Sequence, residues 1–483
     1  MESFDAIVVG SGPNGLSAAV TLARAGLSVR LYEKDERIGG GASTRELTLP
    51  GFLHDVCSAV HPLAVASGFF STFELRKRII LAVPEVSYAQ PLDRGRAGIA
   101  WRDLDRTVDA LGRDGTAWRQ LFAPLVNHAA HIAQFTGSQL LQLPRHPLSV
   151  LRFGLRVLEQ GTPAWQLRFS EDVAPALLTG VSAHSVRPMP SLAAAAGGLA
   201  LAVAAHAGGW PIPIGGSQSI INAMADDFLA HGGEILTGTE IASIDELPPA
   251  TVVLFDVSPR ALTRIAETRL PQDYLRVLNR FRYGNAIAKV DFALNGPVPW
   301  SNKDVAMAGA VHIGGTRGEM ARAETQVAAG QHPDDPYVLV SQPSRFDSTR
   351  APAGKHVLWA YTHVPRRSRV DRTEAVTRQI ERFAPGFRDT ILASASRTAL
   401  EVEEHNPNYV GGDIAAGEVS LTQLIARPVF SRDPWRTPAK GIYLCSSSTP
   451  PGPGVHGLSG YYAARSALAR EFGLTPPPLG RGE

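Results

Sequence analysis

The chain of 483 residues carries 47 basic against 45 acidic side chains, a net charge of +2, with 44% apolar and 19% charged residues. That balance suits a globular protein of two intertwined domains and leaves no strong field for nucleic acid or an anionic membrane. Cys57 and Cys445 lie near opposite ends without a CxxC, which excludes a disulfide scaffold, a zinc ribbon and a dithiol redox centre.

The opening Met1-Glu2-Ser3-Phe4-Asp5 has neither a basic stretch nor an apolar run, so a cytoplasmic protein is the expectation. Ala6-Ile7-Val8-Val9 is the continuous apolar run of a strand buried on both faces. The turn Gly10-Ser11-Gly12-Pro13-Asn14-Gly15 follows, then a helix carrying Leu16, Ala19, Val20, Leu22 and Ala23 that stops at Gly26. Residues 28–32 read as the next strand, with Glu33 at its carboxyl end. Between about 75 and 189 the pattern changes to short strands near Tyr88 and at 99–101, with helices near 105–111, 118–135 and 148–158. Pro144, Pro147, Pro163, Pro175, Pro188 and Pro190 interrupt this stretch, as expected of a cap domain rich in turns.

Residues 192–205 form the longest apolar stretch; it is short of the roughly 20 residues a bilayer span needs and reads as a buried helix lining a cap-domain cavity. Peripheral membrane contact by this stretch is the alternative. Order returns at Gly215-Gly216, after which Ser217 is placed to cap a helix carrying Ile220, Ile221, Met224, Phe228 and Leu229. Residues 234–236, 240–244 and 251–255 read as strands, and 286–294 as another within a mixed region. The chain closes with a strand at 441–445, a loop, a helix from about 457 to 471, and a disordered tail opening at Pro476-Pro477-Pro478.

The first turn carries chemistry. In Gly10-x-Gly12-x-x-Gly15, the first glycine permits a tight turn, the second lets backbone approach a pyrophosphate, and the third lets the helix pack on its strand. The helix start, with Pro13 at its first position, offers N–H groups and partial positive charge to phosphate. Glu33, at the end of the second strand, can accept from a ribose diol, and its charge disfavours a 2′-phosphate, so NADP is not expected. The glycine cluster Gly39-Gly40-Gly41 just beyond suits a backbone passing close to a second ligand surface, such as the far half of FAD. A plain surface turn is the alternative.

Three segments resemble the phytoene desaturase-like flavoproteins, related to the monoamine oxidase and GDP-dissociation-inhibitor fold, and most nearly the branch of pyridine nucleotide-disulfide oxidoreductase domain-containing protein 2. They are the dinucleotide loop, the cluster from Arg37 to Ser43 with Gly51-Phe52-x-x-Asp55, and Arg436-Thr437-Pro438-x-x-Gly441-Ile442-Tyr443-Leu444-Cys445-Ser446-Ser447-Ser448 with Thr449-Pro450-Pro451-Gly452-Pro453-Gly454. Pro213-x-Gly215-Gly216-Ser217 is a looser fourth. The resemblance implies an α/β fold, a glutathione reductase-type, Rossmann-like FAD-binding domain with a mixed α+β substrate or cap domain. It assigns residues 1–74, 213–258 and 435–475 to the former, 75–212 and 259–434 to the latter, and 476–483 to the tail.

It also implies FAD contacts at Gly10, Gly12, Pro13, Asn14, Gly15, Glu33, Lys34, Arg37, Gly40, Gly41, Ala42, Ser43, Ser447 and Ser448. The backbone of Ile241 would touch adenine, and Gly457, Leu458 and Ser459 would start a helix aimed at the flavin. Two features depart from the pattern: only residues 245–250 stand where a β-meander is usual, and no second NAD(P) domain is present.

Because flavin carries the redox chemistry, few protein groups are obligatory. Lys289, on the strand at 286–294, resembles the amine-oxidase lysine that holds a water near flavin N5; the alternative is a lysine whose head snorkels to the surface. His456, before the last helix, is placed to move a proton or merely to shape its turn. His61 and His206 are weaker candidates, and no cluster has metal-ligand spacing. The expectation is an FAD-dependent dehydrogenase, desaturase or isomerase passing hydride between flavin N5 and a small, apolar or amphipathic organic substrate. The alternatives are an amine oxidase using oxygen, whose substrate-sandwiching aromatics Tyr461-Tyr462 do not clearly supply, and a binding or escort protein of the same fold.

Overall fold

The apolar run at the amino end becomes strand Phe4–Val9, the centre of a five-stranded parallel sheet in a computed structural model that describes residues 3–480. The readings made on Met1, Glu2 and residues 481–483 lie outside the described residues. From one edge to the other the strands are Ile442–Leu444, Ala250–Phe255, Phe4–Val9, Val29–Tyr32 and Glu234–Leu236. Both faces are covered, which is why the inner strands show no polar alternation. Ala6, Val8, Leu31 and Leu254 pack on helices Pro13–Arg24, Gln218–Ala230 and Leu458–Ala467, while Ile7, Val9 and Phe255 pack on helices Pro259–Ile265 and Gln272–Asn279.

The second sheet has seven strands in the order Ile391–Arg397, Ala286–Leu294, His356–Val364, Val338–Ser341, Ala308–Ile313, Val86–Pro91, Ala97–Trp101. Only the pairing of Ala308–Ile313 with Val86–Pro91 is parallel. One face turns Tyr88, Ile287, Trp359 and Tyr361 toward a helical layer between Leu104 and Ala207; the other lays Val290, Phe292, Leu358 and Ala360 on helix Thr373–Phe383. Helix Leu192–Ala207 is a core element, as expected: Gly198 lies so close to helix Val173–Ser182 that an added Cβ would sit 2.1 Å from Ser182 Oγ. No helix among the described residues is long and apolar enough to cross a membrane.

Four expectations are corrected. The helix read over 118–135 is two, Gly115–Val126 and Ala129–Thr136, because the chain turns at Asn127 and His128. Residues 240–244 form no strand; they cross the carboxyl end of the sheet as extended coil, and Ser243 then caps the short turn Ile244–Glu246. Ser217 does not cap helix Gln218–Ala230: its own backbone is helical, and its hydroxyl serves Ser58 O and His61 Nε2. The start of the tail is packed, with Leu479 in the core and Arg24 donating to the carbonyls of Pro478 and Gly480.

A buried charge network ties the hairpin at 44–55 and the loop at 215–217 to the segment 347–350 that follows strand Val338–Ser341. Arg350 is wholly enclosed, pairs with Asp55 and Asp347, and donates to Leu53 O at 3.1 Å. Asp55 also accepts from Thr44 at 2.7 Å and from Ser217 N at 2.8 Å, and Asp347 accepts from Gly215 N at 2.8 Å. Removing the guanidinium leaves two uncompensated buried carboxylates. Arg350→Ala should therefore destabilise the fold by about 3–5 kcal/mol, read as a lowered midpoint in urea unfolding.

Candidate active site

The glycine loop is dictated by contact distances. Gly10 has φ +102°, and a Cβ at Gly15 would stand 2.0 Å from Gly10 O. A Cβ at Gly12 would stand 2.7 Å from Asp256 Oδ2. With Pro13 in its first turn and no capping bond from Gly12, helix Pro13–Arg24 begins at a cavity of about 500 Å³, where Asp256 Oδ2 takes the Gly15 N–H at 2.9 Å.

That cavity gathers residues from the whole chain. Gly10, Gly12, Pro13 and Asn14 form one wall, Glu33, Lys34 and Arg37 the end of the second strand, and Gly40 and Gly41 the floor beyond it. Ile241 closes one side, and Ser447 and Ser448 come from the far end of the sequence. Asn14 Nδ2 donates to Ser447 Oγ at 3.3 Å, tying the termini together, while buried Asn14 Oδ1 has no partner. Glu33 accepts from Ser11 N and Asp35 N, both at 2.9 Å, and Lys34 pairs with Glu240 at 3.1 Å. A glycine turn leading into a helix, a carboxylate at the second strand end and an orphaned buried amide oxygen together fit an adenine dinucleotide such as FAD.

Other expected contacts lie outside the cavity wall. Gly15 is consumed by helix packing, and its N–H donates to Asp256 Oδ2 at 2.9 Å. Ala42 and Ser43 are buried beneath the floor, Ser43 Oγ bonding Gly40 O at 3.2 Å. Gly457 presses on Phe69 and Ser17, Leu458 N donates to His456 Nδ1, and Ser459 Oγ reaches Thr449 O at 3.4 Å. These three residues build the turn behind the cavity.

Several groups escaped the sequence reading. Asp256 ends strand Ala250–Phe255 as Glu33 ends Val29–Tyr32, so carboxylates flank the first strand on both sides; adjacent strand ends are where ligands of open α/β sheets bind. Burial, with a smaller push from Glu33, raises the Asp256 carboxyl to about 7, against the opposing pull of the Gly15 N–H. Residues 404–409 roof the cavity, and Tyr409 sits so low that a Cβ at Gly41 would be 2.0 Å from its hydroxyl. Asp413 accepts from the backbone N–H of Gly284, Ala415 and Gly417, and enclosed Arg427 donates to the carbonyls of Ala415, Ala416 and Ser447. The run Asn406-Pro407-Asn408 with Gly411-Gly412 was the available signal, since such residues mark a shaped loop.

Lys289 lies beyond Tyr409. Its head pairs with Asp291, 5.9 Å from the ring of Trp359, and faces a void of about 20 Å³ shared with Cys57, Tyr361, His405 and Tyr409. Burial lowers the Lys289 pKa, with Asp291 opposing. His456 is committed to its own loop: Nε2 donates to Gly452 O at 3.0 Å and Nδ1 accepts from Leu458 N at 3.0 Å. His61 bonds Ser217 at 2.7 Å, and His206 lies between Trp101 O and Trp118 Nε1, so both are satisfied core groups. A second cavity of about 350 Å³ opens outward past Arg187, Tyr283, Arg366, Asp413 and Ala415, with Ile414 standing between this mouth and the Lys289 void.

The paired sheets are a fold shared with solved structures of amine oxidases. Residues 8–70 match the NAD(P)-binding Rossmann-like domain. The chain is similar to the rat pyridine nucleotide-disulfide oxidoreductase domain-containing protein 2, at 24% identity over 95% of this chain and 92% of the relative. In structure it is similar to a variant of putrescine oxidase (17% identity, TM-score 0.62, 98% and 99% of the two chains) and to cyclohexylamine oxidase from Brevibacterium oxydans (16%, 0.54, 98% and 100%). The similarity to the rat relative thus extends over 95% of the chain.

Asp256 generates a pH prediction. Between pH 3.8 and about 7 the folded protein holds a proton that the unfolded chain has released, so this group's contribution to stability falls as pH rises across that window. Urea unfolding of Asp256→Asn at pH 5 and pH 8 should show a flatter pH dependence than that of the parent.

Proposed function

We propose that the chain holds FAD in the large cavity and oxidises a small apolar or amphipathic organic substrate entering by the mouth beside Asp413. The observation that carries this reading is the joining of the glycine loop to Ser447 and Ser448 across one cavity whose roof, Tyr409, also faces Lys289. When bound, the flavin supplies the redox chemistry, taking up hydride from a substrate carbon.

The protein's own groups then bind, shield and move protons. Ile414, Ile287 and Val402 line the inner void with apolar surface, which excludes water from the reacting atoms. Lys289, held by Asp291, is the proton-handling group in this reading, its lowered affinity making the neutral amine more accessible. Burial raises both the Cys57 thiol and the Tyr409 hydroxyl, so these two remain protonated walls.

Amine oxidation is the second reading. Lys289 beside Trp359 and Tyr361 favours it, and two similar folds belong to an oxidase of putrescine and one of cyclohexylamine. Tyr461 and Tyr462 have no part in it: they pack on Phe69 and Trp435 at the margin of the core around the first sheet.

Anaerobic titration of the purified protein with amines and with alcohols or alkenes, followed by flavin absorbance, separates these readings. Bleaching by non-amine substrates supports the first, bleaching by amines alone the second, and a colourless protein that takes up no FAD overturns both in favour of a binding role. Lys289→Met should retain FAD yet slow flavin reduction or reoxidation at least about tenfold; unchanged rates in both half-reactions would remove Lys289 from the site.

A further inference from the structure

Helix Pro147–Gln160 turns Phe153 inward, yet Leu148, Leu151, Leu155 and Leu158 are 70%, 58%, 55% and 52% exposed. Their spacing places all four on one stripe of the helix, and Leu143, just before it, is 94% exposed. Single exposed leucines need no explanation, but an aligned set rimmed by polar residues marks a surface that another phase covers.

Charge selects the covering phase. From residue 135 to residue 158 the sequence holds no Asp or Glu but contains Arg145, Arg152 and Arg156. Arg156 pairs with Glu159 at 2.8 Å, whereas Arg145 and Arg152 have no carboxylate partner among the described residues. In a second copy the acid nearest the stripe is Glu159, already paired with Arg156 and Arg168, so it brings no free carboxylate to Arg145 and Arg152. An anionic bilayer offers an apolar interior and negative headgroups at one boundary.

We propose that helix Pro147–Gln160 lies in the headgroup layer of an anionic membrane, its leucine stripe toward the acyl chains and Arg145 and Arg152 on lipid phosphates. The sequence-based alternative of membrane contact at residues 192–205 fails, because that helix belongs to the core. The surface stands apart from the dinucleotide cavity, so it does not rest on the flavin reading.

The test is flotation of the full-length protein with vesicles of phosphatidylcholine alone, or of phosphatidylcholine and phosphatidylserine in equal parts. Binding to the mixed vesicles should exceed binding to the neutral ones at least about tenfold and decline with added salt. Leu151→Glu/Leu155→Glu and Arg145→Gln/Arg152→Gln should each weaken it roughly tenfold or more. The altered leucines and Arg152 being exposed, both double variants should keep the parental melting temperature. Equal binding to neutral vesicles, no binding to mixed ones, or no effect of the leucine variant overturns the proposal. So does sedimentation equilibrium showing a dimer that the leucine variant splits, which would give the stripe to a second copy.

Discussion

How closely the last helix lies on the first sets the geometry of everything around the cavity. A Cβ at Gly460 would meet Asn14 O at 1.7 Å, so only glycine allows helix Leu458–Ala467 to rest on helix Pro13–Arg24 at this separation. Ser17 cements the contact, its hydroxyl within hydrogen-bond reach of Gly457 O at 2.6 Å and of Asn14 O at 2.8 Å. With Leu16, Val20, Ala463, Ala464 and Ala467 buried in one core, the crossing fixes where Ser447 stands relative to Asn14. The width of the cavity is therefore a packing distance between the two ends of the chain.

Further out, geometry is held by buried polar groups rather than by apolar contact. Arg427 draws the carbonyls of Ala415 and Ala416 toward Ser447, and Asp413 gathers three N–H groups from two segments. Such groups contribute little net stability but penalise any arrangement that leaves them unpaired. They keep the thin wall at Ile414 in place, and with it the separation between mouth and inner void.

What the sequence revealed was local. The loop from Gly10 to Gly15, the acidic end of the second strand and the first two strands themselves follow from spacing, since their physics is contained within a few residues. Asp256 and Tyr409 were missed because nothing near them in sequence says that they will face Gly12 and Gly41; only the folded chain brings them there. Ser217 was misread for the related reason that its hydroxyl found tertiary partners in Ser58 and His61. His456 was legible as a residue near the last turn, but its donor and acceptor commitments depend on Gly452 and Leu458 being folded about it.

The interleaving of segments has a consequence for how the protein is made. The first sheet takes strands from residues 4–9, 29–32, 234–236, 250–255 and 442–444, and the last of these covers one flank of Ala250–Phe255. On a ribosome that flank stays unpaired until nearly the whole chain has emerged, and the cradle around Asn14 stays open for the same interval. Non-local strand pairing of this kind folds slowly and exposes an edge meanwhile. The nascent chain thus has a long vulnerable phase in which its amino-terminal half waits for its own carboxyl end.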